Sequence, residues 1–507
     1  TPLYSSAASD VYKRQALNST FMKNKIIPSS QPGISYLDHG KAGKPITIIG
    51  NEFIVSGLED QCIQQALNSR NAPGVKELIL NPDAHVGYGV PVGSVMVTDG
   101  TIYPAPAGVD VNCSMSLLQL DVPASELKDK KLRRRIITEI LKRVGLDGEN
   151  PISRSLIEDQ EFRSHVIGAI QAGANQFTLK TLGIPAEWID RCEDSSHGNR
   201  RDFLMSRYNW LSENTFKHTL HSKLRQLGSI GGGNHFVEMA EVQKVSDSPE
   251  FDAFGLKEGK TAILSHFGSR GFGNSLATDN FHRLQERFKT WHQEYPAGDK
   301  ELVFAPLDSQ EAKDYILDMQ LAANFAIMNH LYVNKLLLDS IKEVIPGVTG
   351  EFIYHISHNI GRQEIIDNRK LWVLRKGATR AYPAKHFSLK NTPFYETGHP
   401  ILLPGNAKDG SYVMVGLENA VKTAYSINHG AGRIMSRTAA TKSFSQEQVN
   451  KDMNDADIIF QGTDYPIDES SFSYKPFDQV INSVAVSYTH LRAHETKANL
   501  VCRLLLE

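Results

Sequence analysis

The stretch 83–115, D-A-H-V-G-Y-G-V-P-V-G-S-V-M-V-T-D-G-T-I-Y-P-A-P-A-G-V-D-V-N-C-S-M, constrains the chain most. Gly87, Gly89 and Gly93 lead into an apolar run at 95–97. A Pro/Gly turn follows at 104–108, and then a short expected strand carries Asp110 and Cys113. Glycines in such a run let backbone approach backbone or ligand closely. A carboxylate and a thiol three residues apart, just past a tight turn, can converge on one cation, the ionised thiol as a soft donor and the carboxylate as a hard one. The plainer alternative is a buried thiol beside a turn aspartate.

Composition narrows the class. At 507 residues the chain has room for one large core or a few ordinary ones. Its 40% hydrophobic and 22% charged content is that of a soluble globular protein. No apolar run approaches a membrane span, so no membrane partner is expected. Cys62, Cys113, Cys192 and Cys502 lack paired spacing, which argues against a disulfide framework and for a reducing, cytoplasmic setting. A net charge of −2 means that any nucleic-acid surface must be gathered locally. Both ends resemble translated adapter sequence. Residues 1–21 are therefore expected to be a non-native leader and 487–507 a non-native tail, around a catalytic domain at 22–486.

Between the ends, β-branched residues predict strands within 46–55, and further strands are expected at 75–80 and 117–122. Helical spacing covers 59–69 and 315–342. Residues 124–144 have a helical period with a basic face of Lys128, Lys130, Lys131, Arg133, Arg134 and Arg135. That face reads as solvated, or more sharply as RNA-facing. The polar segment 145–221 carries no motif and is a candidate helical insertion. Short strands and turns alternate through 353–415, 436–457 reads as helix and polar connection, and strands and helices intermix along the chain without a regular βαβ period. The expected fold is mixed α/β (α+β): one large domain with central sheets, surrounding helices and an inserted middle segment.

Several glycine- and histidine-bearing motifs follow the opening stretch. G-S-I-G-G-G-N-H-F-V-E ends in Asn234, His235, Phe236 and Glu238. Its backbone could wrap a phosphate while His235 offers a nitrogen to a metal, or it could be a glycine turn with a satisfied histidine. S-H-F-G-S-R-G-F-G places His266 at the end of an apolar strand. H-I-S-H-N-I puts His355 and His358 three apart, one a candidate ligand and the other a core residue. R-K-G-A-T-R gathers Arg375, Lys376 and Arg380, for phosphate or as surface charge. P-G-N-A-K-D-G-S-Y lacks the lysine placement of a P-loop. N-H-G-A-G-R surrounds His429 with small residues, with Arg433 expected to open a helix. An anion beside that histidine would be favoured, as a nucleophile acting on a nucleoside triphosphate requires.

Taken in this order, the motifs resemble those of the RtcB family of GTP-dependent RNA ligases, from about Gly50 to Asn482. The family carries a D-x-x-C turn after a D-x-H-x-G-x-G run, then G-N-H-F-x-E, H-x-G-S-R-G-x-G, H-N, R-K-G-A, P-G-S, H-G-A-G-R and a late Y-K. The resemblance implies two manganese ions sharing Cys113, with Asp110 and His235 on one and His266 and His358 on the other. It implies that His429 attacks the α-phosphate of GTP. It places Asn234, Phe236, Asn359, Pro404, Gly405, Asn406, Gly430, Ala431, Gly432 and Arg433 around the nucleotide. Lys475, Glu238 and Ser411 fall on guanosine contacts.

The implied reaction joins RNA carrying a 2′,3′-cyclic phosphate or 3′-phosphate to a 5′-hydroxyl end through a histidine–GMP intermediate, in RNA repair or tRNA splicing, with an activating protein among the candidate partners. Departures at Asn406, Lys408 and Asp409, at Leu374 and at His330 mark a divergent branch and bear on nucleotide preference. Two rival readings remain: a two-metal phosphodiesterase or phosphatase acting on RNA ends, and a non-catalytic RNA-binding subunit.

Overall fold

A computed structural model describes residue 23 and residues 25–194, 201–244, 248–487 and 494–504. Two sheets make the frame. The seven-stranded sheet runs in the order Ile26–Pro28, Ile34–Leu37, Ile46–Ile49, Val75–His85, Val92–Thr98, Arg369–Lys376, Asn359–Ile366. The eight-stranded sheet begins Gly350–Ser357, Ser114–Pro123, Lys260–Phe267, Phe236–Val242, and continues through His494–Leu504 to Ser411–Val415 and Pro400–Pro404. His494–Leu504, in the tail set aside on sequence grounds, also pairs with Ile459–Phe460.

The sheets meet where one strand hands over to another. Gly350–Ser357 belongs to the second sheet and Asn359–Ile366 to the first, with only His358 between them. The chain therefore changes sheet at a single residue. Gly377 separates Arg369–Lys376 from Ala378–Arg380 in the same way, and Ala378–Arg380 pairs with Ser426–Asn428 just before His429. These junctions bring distant motifs to one seam.

The helix Gln310–Lys342 spans the core. Its first turn is capped by Ser309, whose hydroxyl accepts from the Ala312 amide. Leu321, Phe325 and Leu337 on this helix share one apolar cluster with Leu80, Met96 and Leu118 from both sheets. The segment 145–221 holds the helices Pro151–Leu156, Gln160–Ala172, Gln176–Thr181, Arg201–Glu213 and Leu220–Leu224. Val166, Ile170, Leu204 and Leu211 from it join that same cluster rather than forming a core of their own. Mixed sheet and helix around shared cores agree with the expected α+β class.

Local expectations fail in instructive places. Residues 52–55, expected as strand, lie in the helix Glu52–Ser56, because the Asn51 side chain caps the Ile54 amide and outweighs the β-branched composition. Residues 124–144 are not one helix. A 3₁₀ turn, Ala124–Lys128, precedes the helix Lys130–Arg143, which Asp129 caps. On that helix Arg133 is fully buried and donates to Asp457 Oδ2 at 2.7 Å and to Asp457 O at 2.9 Å, so it is neither a solvated nor an RNA-facing cation. Asp110 and Cys113 sit in a turn rather than a strand, with Asn112 at φ 58° and the strand starting at Ser114. Arg433 does not open a helix. The helix is Arg437–Ser443, capped by Ser436, and Arg433 forms an extended bridge with Tyr474.

The R-K-G-A-T-R cations are also buried, so the surface-charge reading fails. Arg375 makes a bidentate pair with Glu364 at 2.6 and 2.9 Å and donates to Ser426 Oγ at 2.9 Å. Truncating one partner of a buried ion pair strands the other charge. Arg375→Ala is expected to lower stability by about 3–5 kcal/mol in urea unfolding. A loss below about 1 kcal/mol, the range of an exposed pair, would contradict this assignment.

Candidate active site

Five of the expected ligands converge at the seam. Asp110 and Cys113 come from the turn before Ser114–Pro123, His235 from the loop before Phe236–Val242, His266 from the end of Lys260–Phe267, and His358 from the sheet junction. His235 Nε2 lies 2.7 Å from Asp110 Oδ2 and 3.3 Å from Cys113 Sγ. Cys113 Sγ lies 3.2 Å from His266 Nε2, which lies 3.1 Å from His358 Nε2. Two donor groups result, Asp110/Cys113/His235 and Cys113/His266/His358, with the ligand atoms of each within 4.8 Å of one another. Cys113 belongs to both.

The chemistry of this set fits divalent ions. Two imidazole nitrogens 3.1 Å apart need a proton or a cation between them. Burial, reinforced by the neighbouring histidines 429 and 266, holds the His358 imidazole well below its usual range, so it stays a neutral lone-pair donor. Burial and then Asp110 push the Cys113 thiol well up, so without a cation the sulfur keeps its proton. Asp110 goes the other way: burial opposes its charge, but His235 prevails and lowers its pKa. Buried His235 Nδ1 and His358 Nδ1 have no hydrogen-bond partner. Thiol, imidazole and carboxylate together suit Mn²⁺, Zn²⁺ or Co²⁺.

His429 stands against this cluster, its ring centroid 4.7 Å from that of His358. Its Nδ1 is 2.8 Å from Gly377 O and 2.9 Å from Asp83 Oδ2. A carbonyl oxygen can only accept, so Nδ1 carries a proton, and in the neutral ring Nε2 holds the lone pair. Two glycines make the approach possible. At Gly377, φ +60°, a Cβ would lie 2.8 Å from His429 Cε1, and at Gly432, φ +74°, it would lie 2.5 Å from Asp83 O. Neither position tolerates a side chain.

A cavity of about 310 Å³ opens onto the cluster. Asn234, Phe236, Asn359, Pro404, Gly405, Gly430, Ala431, Gly432 and Arg433, all expected at the nucleotide, line it. Four other expected contacts, Glu238, Asn406, Ser411 and Lys475, are absent from its lining. Ser411 Oγ donates to Glu238 Oε1 at 2.8 Å, and both residues are buried. Asn406 Oδ1 accepts from the Lys408 and Asp409 amides at 2.9 and 3.1 Å, closing its loop on itself. Lys475 is not brought to the cavity either. Its buried ammonium donates to Pro82 O and Ala84 O, both at 2.8 Å, and so clasps the strand that carries Asp83.

Asp83 had no role assigned from sequence, although it opens the D-A-H-V-G run. Lys376 also lines the cavity, where it was expected only as part of a cation cluster. His355 is the core member of its pair: buried, T-shaped against His330 at 4.8 Å, and not among the donor groups. His330 holds the His266 strand in register. Its Nε2 donates to Phe267 O at 2.8 Å, so its Nδ1 accepts from Ser116 Oγ, also at 2.8 Å.

Burial brings the Lys376 ammonium down to about 7 from an ordinary 10.5. Between those values the folded chain has shed a proton that the unfolded chain keeps, so stability rises with pH across that window and falls as pH drops toward 7. Lys376→Met lacks the rise. Wild type is expected to gain on the variant by up to about 1.4 kcal/mol per pH unit between about pH 7 and 9 in paired urea titrations. A pH-independent difference would contradict a neutral buried Lys376.

The chain matches the family described as tRNA-splicing ligase RtcB over residues 65–500. A tRNA-splicing ligase RtcB of Pyrobaculum aerophilum is 31% identical over 87% of this chain and 90% of its own length. One of Nanoarchaeum equitans is 32% identical over 87% and 91%. The RNA-splicing ligase RtcB of Mycobacterium tuberculosis is 29% identical over 83% and 95%. With that extent of match, and with the donor cluster and the presented histidine in one cavity, the chain belongs to the RtcB family.

Proposed function

We propose that the chain is an RNA ligase that seals a 2′,3′-cyclic phosphate or 3′-phosphate RNA end to a 5′-hydroxyl end, with GTP as co-substrate. The observation that carries this reading is the setting of His429: Nδ1 lies against Gly377 O and Asp83 Oδ2, which leaves Nε2 as the lone-pair atom of the neutral ring, and the ring stands beside the donor cluster. The names of the relatives, tRNA-splicing and RNA-splicing ligase, support RNA as the substrate.

In this reading, hydrolysis first opens a cyclic end to a 3′-phosphate. His429 Nε2 then attacks the α-phosphorus of GTP, the N–P bond forms and pyrophosphate leaves. The Asp83 carboxylate offsets the positive charge that grows on the ring. An oxygen of the RNA 3′-phosphate next attacks the same phosphorus, the N–P bond breaks and His429 is restored. The 5′-hydroxyl finally attacks the activated 3′-phosphate and GMP departs. Two divalent ions held by Asp110, Cys113, His235, His266 and His358, Mn²⁺ in this reading, would supply charge neutralisation and a template. Asn234, the 430–432 backbone and Arg433 are assigned to the nucleotide phosphates and ribose, and the Glu238–Ser411 pair to guanosine.

The test is sealing of a 3′-phosphate RNA to a 5′-hydroxyl RNA with GTP and Mn²⁺. Wild type joins the ends and His429→Ala does not. Asp83→Asn, which keeps the shape but weakens charge compensation, loses roughly 100-fold or more in rate. Joining by His429→Ala at the wild-type rate would defeat the proposal.

A further inference from the structure

The segment 145–221 carried no motif, yet it sends a buried carboxylate to the seam. The Glu193 side chain is 2% exposed. Its amide donates to His355 O at 2.9 Å, and Cys192 bridges His355 in parallel. Its Oε2 accepts from the Ser357 amide at 3.1 Å and from Ser357 Oγ at 2.7 Å. Ser357 is the residue before His358, at the point where the chain changes sheet.

The same carboxylate pairs with two arginines. Arg362 Nη1 lies 3.1 Å from Glu193 Oε2 and 2.6 Å from Asp194 Oδ2. Arg380 Nε pairs with Glu193 Oε1, and Arg380 Nη2 donates to Asp194 Oδ2 at 2.7 Å. Arg362 belongs to the strand leaving His358. Arg380 belongs to Ala378–Arg380, which pairs with Ser426–Asn428 immediately before His429. A further backbone bond, Ala378 N to His358 O at 3.1 Å, runs between these pieces. Two carboxylates and two guanidiniums balance in charge, which makes their burial tolerable.

We propose that Glu193, assisted by Asp194, is a positioning residue that fixes the donor His358 and the nucleophile His429 relative to each other by fastening Ser357, Arg362 and Arg380 to one carboxylate pair. This rests on the metal and nucleophile reading above. A bond one residue from a metal ligand sets the direction of that ligand, and losing such support costs metal affinity roughly 10- to 100-fold. The motif-less segment thereby acquires a role: its acidic pair completes a site whose other parts lie on the two sheets.

Co²⁺ alone tests this, by titration of the purified full chain read in the visible absorption of the thiolate- and imidazole-bound ion. Glu193→Ala is expected to bind Co²⁺ about 10-fold or more weakly, with a changed spectrum. Glu193→Gln keeps an acceptor for Ser357 but loses the ion pairs, and is expected to fall between wild type and Glu193→Ala. Trp188→Phe supplies the control. Trp188 is buried in the same segment and stacks on Phe352 at 5.1 Å, and it takes no part in the bonds that fasten Ser357 to Glu193. It should lose stability yet keep the wild-type spectrum. If Glu193→Ala does not fold, Glu193→Gln against Trp188→Phe decides. Wild-type affinity and spectrum in the Glu193 variants, or an equal change in Trp188→Phe, would overturn the clamp. A wild-type chain that takes up no Co²⁺ would defeat the metal reading, and the clamp with it.

Discussion

The mutual approach of Cys113, His235, His266 and His358 is the constraint on which the rest of the structure depends. Four buried donors within about 3 Å of one another from link to link are an expensive arrangement for a folded chain without a cation. Each comes from a different part of the sequence, and each lies at or next to the end of a strand. The chain achieves part of this by passing from one large sheet to the other at a single residue. That residue is His358, which alone separates a strand of one sheet from a strand of the other.

The second constraint is the presentation of His429. Its proton is held at Nδ1 by a carbonyl and a carboxylate, and its close neighbours are glycines where a side chain would collide. Behind Asp83 lies Lys475, whose ammonium grips the carbonyls on either side of it. Burial lowers the pKa of Lys475, with Asp83 opposing that shift, so the grip also sets a cationic group near the Asp83 carboxylate. The late Y-K motif thus bears on His429 through the strand that carries Asp83. Lys475, expected at the guanosine, spends two of its N–H donors on the Pro82 and Ala84 carbonyls.

Much of the site was legible because its chemistry is local in sequence. A glycine-flanked histidine, a D-x-x-C turn and a histidine at a strand end each announce a donor, and their order identified the family before any geometry. What was illegible depended on distant partners. Asp83 meets His429 across 346 residues, and no local pattern reveals that contact. Arg375 and Arg380 read as phosphate-binding or surface cations because Glu364 and Glu193, which neutralise them, carry no motif. The residues 52–55 looked like strand because β-branching is visible in sequence, whereas the decisive Asn51 cap acts through one side-chain bond. The fold class was readable from the mixture of periods. The sheet exchange at His358 was not, because it depends on pairing between strands far apart in the chain.

The most direct measurement is covalent labelling with α-³²P GTP and Mn²⁺, followed by denaturing electrophoresis and peptide mapping. The account predicts an acid-labile, alkali-stable label on the peptide carrying His429, absent from His429→Ala. A label mapped to a lysine, or no label in protein that demonstrably holds metal, would contradict it.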